Sequence, residues 1–362
     1  MRSTFTLLLL ASGCWPVVPP AAASENEAKP IQRIAFGSCA NQSKPQPIWD
    51  VVVEQKPDIF VFLGDNIYAD TADMKLMKEK YARLGAKPGY QQLLKQCPVL
   101  ATWDDHDFGV NDGGAWYPKK EESQRILLDF FNVPQDSPRR QRPGIYDATI
   151  LGPAGKRVQI ILLDTRYFRS RATVDVRSEA EKRKQNLVGW YVPNHDPAAT
   201  MLGPEQWKWL EARLREPADL RFIASSSQVV ADEKGMESWG NFPAERTRLY
   251  QLIKSTAAQH VLFLSGDVHF AEISKTDEGP YPLYDFTSSG LTNVNPSWAA
   301  AVNTHRVTPG AYAKPNAGFI DIDWDKAPPQ LTLRVAGLNQ ESGFSKVIRL
   351  SELEAAHEGT KP

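Results

Sequence analysis

Apolar runs rich in Val, Ile and Phe alternate along this chain with stretches whose apolar residues recur at helical spacing, which predicts a mixture of strands and helices. Residues 31–36 (IQRIAF), 58–63 (DIFVFL) and 99–103 (VLATW) read as strands, and the unbroken apolarity of the second predicts burial on both faces. Between them, helices are expected over 47–55, opened by Pro47, and near 74–84 and 90–96. A helix near 121–131 and strands over 144–151 and 157–163 follow. Pro204 opens a further helix whose Trp207, Leu210 and Leu214 share one face and so belong to a core. Strands at 221–224, 261–264, 283–286, 319–323 and 331–335 complete the series, with no internal repeat or low-complexity tract.

Composition narrows this picture. With 362 residues, 42% hydrophobic and 23% charged, the chain can bury a large core, and disorder, collagen and coiled coil are excluded. The 42 Lys and Arg balance 43 Asp and Glu, so there is no global basic field, stable nucleic-acid binding is not expected, and an anionic ligand must be held locally.

The start of the chain sets an expected compartment. Arg2, the apolar run from Phe5 to Ala11 and the Ala21-Ala22-Ala23 cleavage pattern before Ser24 read as a removable signal peptide over 1–23, giving a secreted or periplasmic product. A linker over 24–30, one folded unit over 31–350 and a tail over 351–362 complete the expected organisation. The early apolar run, broken by Ser12, Gly13 and Pro16, is far short of the ~20 residues of a membrane span, and no transmembrane segment is expected elsewhere. Cys14, after Ala-Ser-Gly, offers a lipoprotein alternative, and the single Arg2 points to general secretion rather than a twin-arginine route. Beyond the signal only Cys39 and Cys97 remain, and a disulfide is their plainest reading in an exported protein.

The candidate chemistry lies where strands end. The first closes in Gly37-Ser38-Cys39, the second in Gly64-Asp65-Asn66-Ile67-Tyr68, the third in Asp104-Asp105-His106-Asp107, and a late one in Gly266-Asp267-Val268-His269. Taken singly, these are turn formers, structural histidines and an inert thiol. Gathered at the carboxyl ends of neighbouring strands, carboxylates, a thiol, a phenol and imidazoles require a cation to offset their mutual repulsion and desolvation. A site with two or three metals follows. There is no G-x-S-x-G elbow, P-loop or G-x-G-x-x-G run to support a serine hydrolase, an NTPase or a dinucleotide enzyme. Residues 166–184 carry Arg166, Arg169, Arg171, Arg177, Lys182, Arg183 and Lys184, either as a solvated surface or as a basic lid over an anionic substrate. Trp116, Tyr117, Trp190, Tyr191, Trp239 and Trp298 fall in expected loops, as packing or as the frame of a pocket.

From about Ile34 to Leu291 the chain resembles the PhoD-like alkaline phosphatases of the metallophosphoesterase superfamily, through FGSC at 36–39, GDNIYAD at 64–70, TWDDHDFGVND at 102–112, LLDTRYFR at 162–169 and SGDVHF at 265–270. The resemblance implies an α/β (α+β) four-layer sandwich, two mixed β-sheets packed face to face with helices on the outside. It implies iron(III) (Fe3+) and calcium (Ca2+), with zinc or manganese as alternatives. Carried over, it makes Cys39, Asp65, Tyr68 and His269 iron ligands, with Asp65 bridging toward calcium held by Asp105 and Asp267. His106 would contact the phosphate and assist the leaving group, Arg166 would clamp phosphoryl oxygens, Asn111 would lie on the calcium and substrate side, and Asp104 and Asp107 would orient the others. A Cys39 ligand implies that Cys39 and Cys97 are not bonded to each other. The implied function is an exported hydrolase of small or polymeric phosphoesters, monoester or diester. A phosphodiesterase or phospholipase with little monoesterase activity, and a noncatalytic calcium-binding envelope scaffold, are the alternatives. Oligomeric state is left open.

Overall fold

The apolar run at 59–63 (IFVFL) is buried at every position, and its alternation sorts it into two cores. In the computed structural model, which describes residues 29–355, Val61 and Leu63 face one core with Ile34 and Phe36, while Phe60 and Phe62 face the other with Ala35. The strands are β1 (Arg33–Gly37), β2 (Ile59–Leu63), β3 (Val99–Thr102), β4 (Asp147–Leu151), β5 (Val158–Leu162), β6 (Thr173–Val174), β7 (Tyr191–Val192), β8 (Leu220–Ala224), β9 (Val261–Ser265), β10 (Ala271–Thr276), β11 (Leu283–Ser288), β12 (Asn316–Asp323), β13 (Gln330–Gly337) and β14 (Ser342–Arg349). One six-stranded sheet runs β14-β13-β12-β1-β2-β3, the other β10-β11-β9-β8-β5-β4, and β6 and β7 form a small ribbon.

Both large sheets are mixed. In the first, β1, β2 and β3 are parallel and β12 joins β1 antiparallel. In the second, β11, β9, β8 and β5 are parallel, with β10 and β4 antiparallel at the edges. Between the sheets lies one apolar core, in which Phe36 meets Phe286 edge to face at 4.8 Å between centroids. The outer face of the first sheet is covered by the helices Ile48–Glu54, Met74–Gly85, Pro88–Gln96 and Lys120–Phe130, through Trp49, Met77, Tyr81, Tyr90 and Leu127. The second sheet is covered by Gly203–Leu214, whose Trp207, Leu210 and Leu214 point inward as their spacing predicts, and by Pro243–Ser255. The expected four-layer sandwich is the observed fold.

Some elements escape the sequence reading. Strand β14 is a mostly exposed edge with Ile348 as its only fully buried position, so its alternation is weak. Strand β10 carries the fully buried Glu272, which is paired with Lys234 and Arg306, and its polar letters hide a buried strand. Helix Pro243–Ser255 had a readable apolar stripe in Leu249 and Ile253 behind a highly charged first half. The expected signal peptide over 1–23 and the alternative at Cys14 lie outside the described residues.

Candidate metal centre

Parallel strands bring their carboxyl ends to one edge, and the chain turns sharply there. Cys39, Asp65, Asp267 and His269 all take left-handed backbone conformations, with φ of 63°, 50°, 71° and 60°. Non-glycine residues avoid this region, and such positions cluster at functional sites. Gly64, at φ 95°, lies where a Cβ would come within 2.5 Å of the Asp104 Cβ, so the ends of β2 and β3 touch only because this residue is glycine.

These turns bring the expected residues together. Cys39 Sγ lies 3.4 Å from Asp65 Oδ2 and 3.1 Å from Ser289 Oγ. Tyr68 Oη and His269 Nε2 are 3.0 Å apart, and the Tyr68 ring lies against His106 at 4.2 Å between centroids. Among the described residues, three sets of donor atoms lie close enough to share an ion: Cys39, Asp65 and His269; Asp65, Asp105 and His106; and Asp105, Asp112 and Glu237. Asp65 belongs to the first two, as a bridging carboxylate would. Asp267 and Asn111 stand outside all three sets but line the cavity above them. Cys39 and Cys97 are both free thiols, as a Cys39 ligand requires.

The buried acids lack compensating charge. Asp65 is 1% exposed and its Oδ1 has no hydrogen-bond partner. Burial, then the neighbouring Cys39 and Asp105, push its carboxyl well above the usual range. Burial also raises Asp267 well above its usual value, with Asp104 and Glu237 adding to the effect, and lifts the Cys39 thiol to about 12. Asp105 is the exception: burial is overcome by Arg166 and His106, which hold it near 2. His106, despite its burial, is raised to about 10 by Asp65, Asp70 and Asp105, and its Nδ1 lies 2.8 Å from Asp70. Burial and His106 lower His269 to about 4, which leaves it neutral and free to ligate. A cation fits this donor set, because it would replace the protons that Asp65, Asp267 and Cys39 otherwise retain.

A pH effect follows. A buried carboxyl whose folded pKa lies above its unfolded value binds extra protons in the folded state, so stability falls as pH rises through that interval. Asp104 and Asp107, raised by burial to about 6 and about 8, place the interval between roughly pH 4 and 8, and Asp65 and Asp267 act in the same direction. Chelated protein should therefore lose thermal stability from pH 5 to 8, and the midpoint gained on adding metal should grow over the same range. Scanning calorimetry checks this; a gain that is flat or shrinks with pH would contradict it.

Arg166 is placed differently from the clamp the resemblance implies. It is fully buried, its Nη2 lies 2.7 Å from Glu237 Oε2 and its Nε donates to Asp104 at 2.5 Å. Its guanidinium is thus committed beneath the cavity, where it fixes two acids. Asp104 also accepts from Ser226 at 2.8 Å, and Asp107 accepts from the Asp104 and Asn66 backbones at 2.7 and 3.2 Å, so both brace the turn. No residue of 166–184 is among the described residues lining the cavity, and within this stretch Arg169 pairs with Glu237, Arg177 with Asp175 and Lys182 with Glu179. Sequence reasoning missed Glu237 and Asp112. The available signal for Glu237 was a single acid in the otherwise uncharged run Gly235-Met236-Glu237-Ser238-Trp239.

Beside the donor sets opens a cavity of about 390 Å³ lined by Asp105, His106, Asn111, Asp267 and His269 together with Trp190, Met236 and Trp298. Of the other aromatic candidates, Trp239 packs against Trp207 in the core, Tyr117 is buried, Tyr191 donates to Asp112, and Trp116 lies under Arg171.

A two-sheet sandwich with buried acids, a thiol and imidazoles at its strand ends has the architecture of a metallophosphoesterase. Residues 34–321 match the PhoD-like phosphatase family, and the chain belongs to that family. It is 23% identical over 283 residues to alkaline phosphatase D of Bacillus subtilis (strain 168), covering 66% of this chain and 46% of that protein, so it spans about half the length of this relative. The fold is that of a solved PhoD structure, with a TM-score of 0.66 at 18% identity over 89% of this chain and 69% of the other. A dimetal phosphatase from Danio rerio shares it too, with a TM-score of 0.52 at 14% identity over 89% of this chain and all (100%) of the other.

Proposed function

We propose that this chain is an exported, metal-dependent hydrolase of phosphomonoesters and phosphodiesters. The observation that carries the reading is the donor set Cys39, Asp65 and His269, whose buried Asp65 has an oxygen without a partner, beside a cavity lined by His106. Cys39, Asp65, Tyr68 and His269 suit iron(III), and Asp65, Asp105 and Asp267 offer the hard oxygens that suit calcium. Asp105, Asp112 and Glu237 form an all-carboxylate set next to these. Cations held there would supply Lewis-acid stabilisation of the phosphoryl oxygens and a water acidic enough to attack near neutral pH.

The chain's own residues do the rest. Asp70 accepts from His106 Nδ1 and orients the ring, which leaves Nε2 to donate its proton to the departing alcohol oxygen as the phosphorus–oxygen bond breaks. The buried Asp104, Arg166 and Glu237 network holds the floor in place, so the donors need not reorganise when charge builds on the phosphoryl group. Export rests on the sequence of residues 1–23. The test is hydrolysis of para-nitrophenyl phosphate and of bis(para-nitrophenyl) phosphate before and after chelation. Turnover of both esters that is lost with the metal and restored on refilling is expected. Turnover of the diester alone would make the enzyme a phosphodiesterase, and turnover that survives complete metal removal would refute the reading.

A further inference from the structure

The cavity lining mixes two chemistries. Besides the acids and imidazoles it carries Trp190, Trp298 and Met236. Trp190 is 47% exposed, whereas Trp49, Trp103, Trp207 and Trp239 are fully buried, so no core holds it in place. Its backbone is nevertheless stiff. Val188 and Gly189 both donate to the Lys234 carbonyl at 3.1 Å, Tyr191 donates to Gly235 at 2.8 Å, and the Trp190 carbonyl accepts from Asp175 at 2.7 Å. The segments approach so closely that a Cβ at Gly189 would lie 2.0 Å from the Gly235 oxygen.

Trp298 is held as firmly. It sits in the short helix Pro296–Ala299, where the Asn295 side chain accepts from its backbone N–H and the Asn295 N–H donates to His269 O at 2.9 Å. Its ring stacks on His269 at 5.0 Å and 17°, which ties the aromatic wall to a candidate ligand. Trp190 meets Trp298 edge to face at 6.0 Å and 84°, so the two rings make a right-angled corner. Met236 lines the same cavity with a soft, adaptable side chain.

A solvent-exposed indole on a rigid backbone, beside the acids and against a second indole, is a preformed platform for a flat ring. No Lys or Arg is among the described residues lining the cavity, so this wall offers no counter-charge to further phosphates. We propose that Trp190 and Trp298 bind the alcohol arm of the ester and select small phosphoesters whose arm carries a flat aromatic ring, a nucleobase or an aryl group, over esters of aliphatic alcohols. The proposal rests on the hydrolase reading above for the position of the phosphoryl group.

Adenosine 5′-phosphate carries adenine where ribose 5-phosphate has its anomeric hydroxyl, and the dissociation constants of the two can be measured by calorimetry on the metal-loaded full chain whether or not turnover occurs. Stacking on one aromatic face is worth roughly 5- to 150-fold in affinity, so the native chain should prefer the nucleotide by at least about 5-fold. In Trp190→Ala that preference should fall toward unity through weaker nucleotide binding, with ribose 5-phosphate changed by less than about 2-fold, and Trp190→Phe should restore part of it. Equal affinities in the native chain, or a preference that survives Trp190→Ala, would overturn the proposal. Ring preference in a chain that hydrolyses no ester would support this inference while refuting the hydrolase reading.

Discussion

Asp65→Ala is expected to lose bound metal and phosphoester hydrolysis together, by well over the ~10- to 100-fold that removal of an outer partner of a metal ligand costs. Asp65 is the shared member of two donor sets, so its loss opens both at once. The same change should leave the chelated protein at least as stable as native, because it removes a buried acid whose Oδ1 has no partner. That divergence separates a ligand from a structural residue. Elemental analysis, hydrolysis and a melting curve on one preparation check it, and unchanged activity would sink the assignment.

The second large effect is structural. Arg166→Ala leaves Asp104 and Glu237 buried, at 0% and 4% side-chain exposure, without the cation that now bridges them. Removing one partner of a buried ion pair costs about 3–5 kcal/mol, so the melting temperature should fall by roughly 10 °C. Arg166→Lys should recover only part of this, since an ammonium cannot reproduce the fork that reaches both carboxylates. Thermal denaturation with steady-state kinetics decides between this role and the phosphate clamp implied by the motif. A variant of native stability with a raised KM would show that Arg166 meets the substrate instead.

Much of the site was legible because its residues follow apolar strands directly. In Phe36 to Cys39, Leu63 to Tyr68 and Ser265 to His269, a buried strand breaks into glycine and then into donors; parallel pairing carries the donors to the carboxyl edge of each sheet, and the face-to-face packing of the two sheets brings those edges together. Glu237 and Asp112 follow no strand. Arg169 holds Glu237 and also takes the Asp112 carbonyl, so their placement depends on tertiary contacts between distant loops. The same distinction explains Arg166, whose motif was visible but whose burial became apparent only once Glu237 was in place. Besides the two-residue strands β6 and β7, those missed were the edge strand β14 and the polar-lettered β10, where pairing and ion pairs replace apolar periodicity.

Elemental analysis of protein purified without chelator, read beside hydrolysis of para-nitrophenyl phosphate and its bis ester, is the most direct test of the metal centre. Iron with calcium, at least one ion of each per active chain, and turnover that scales with metal content are expected. Folded protein that remains metal-free and inactive after reconstitution with iron and calcium would contradict it.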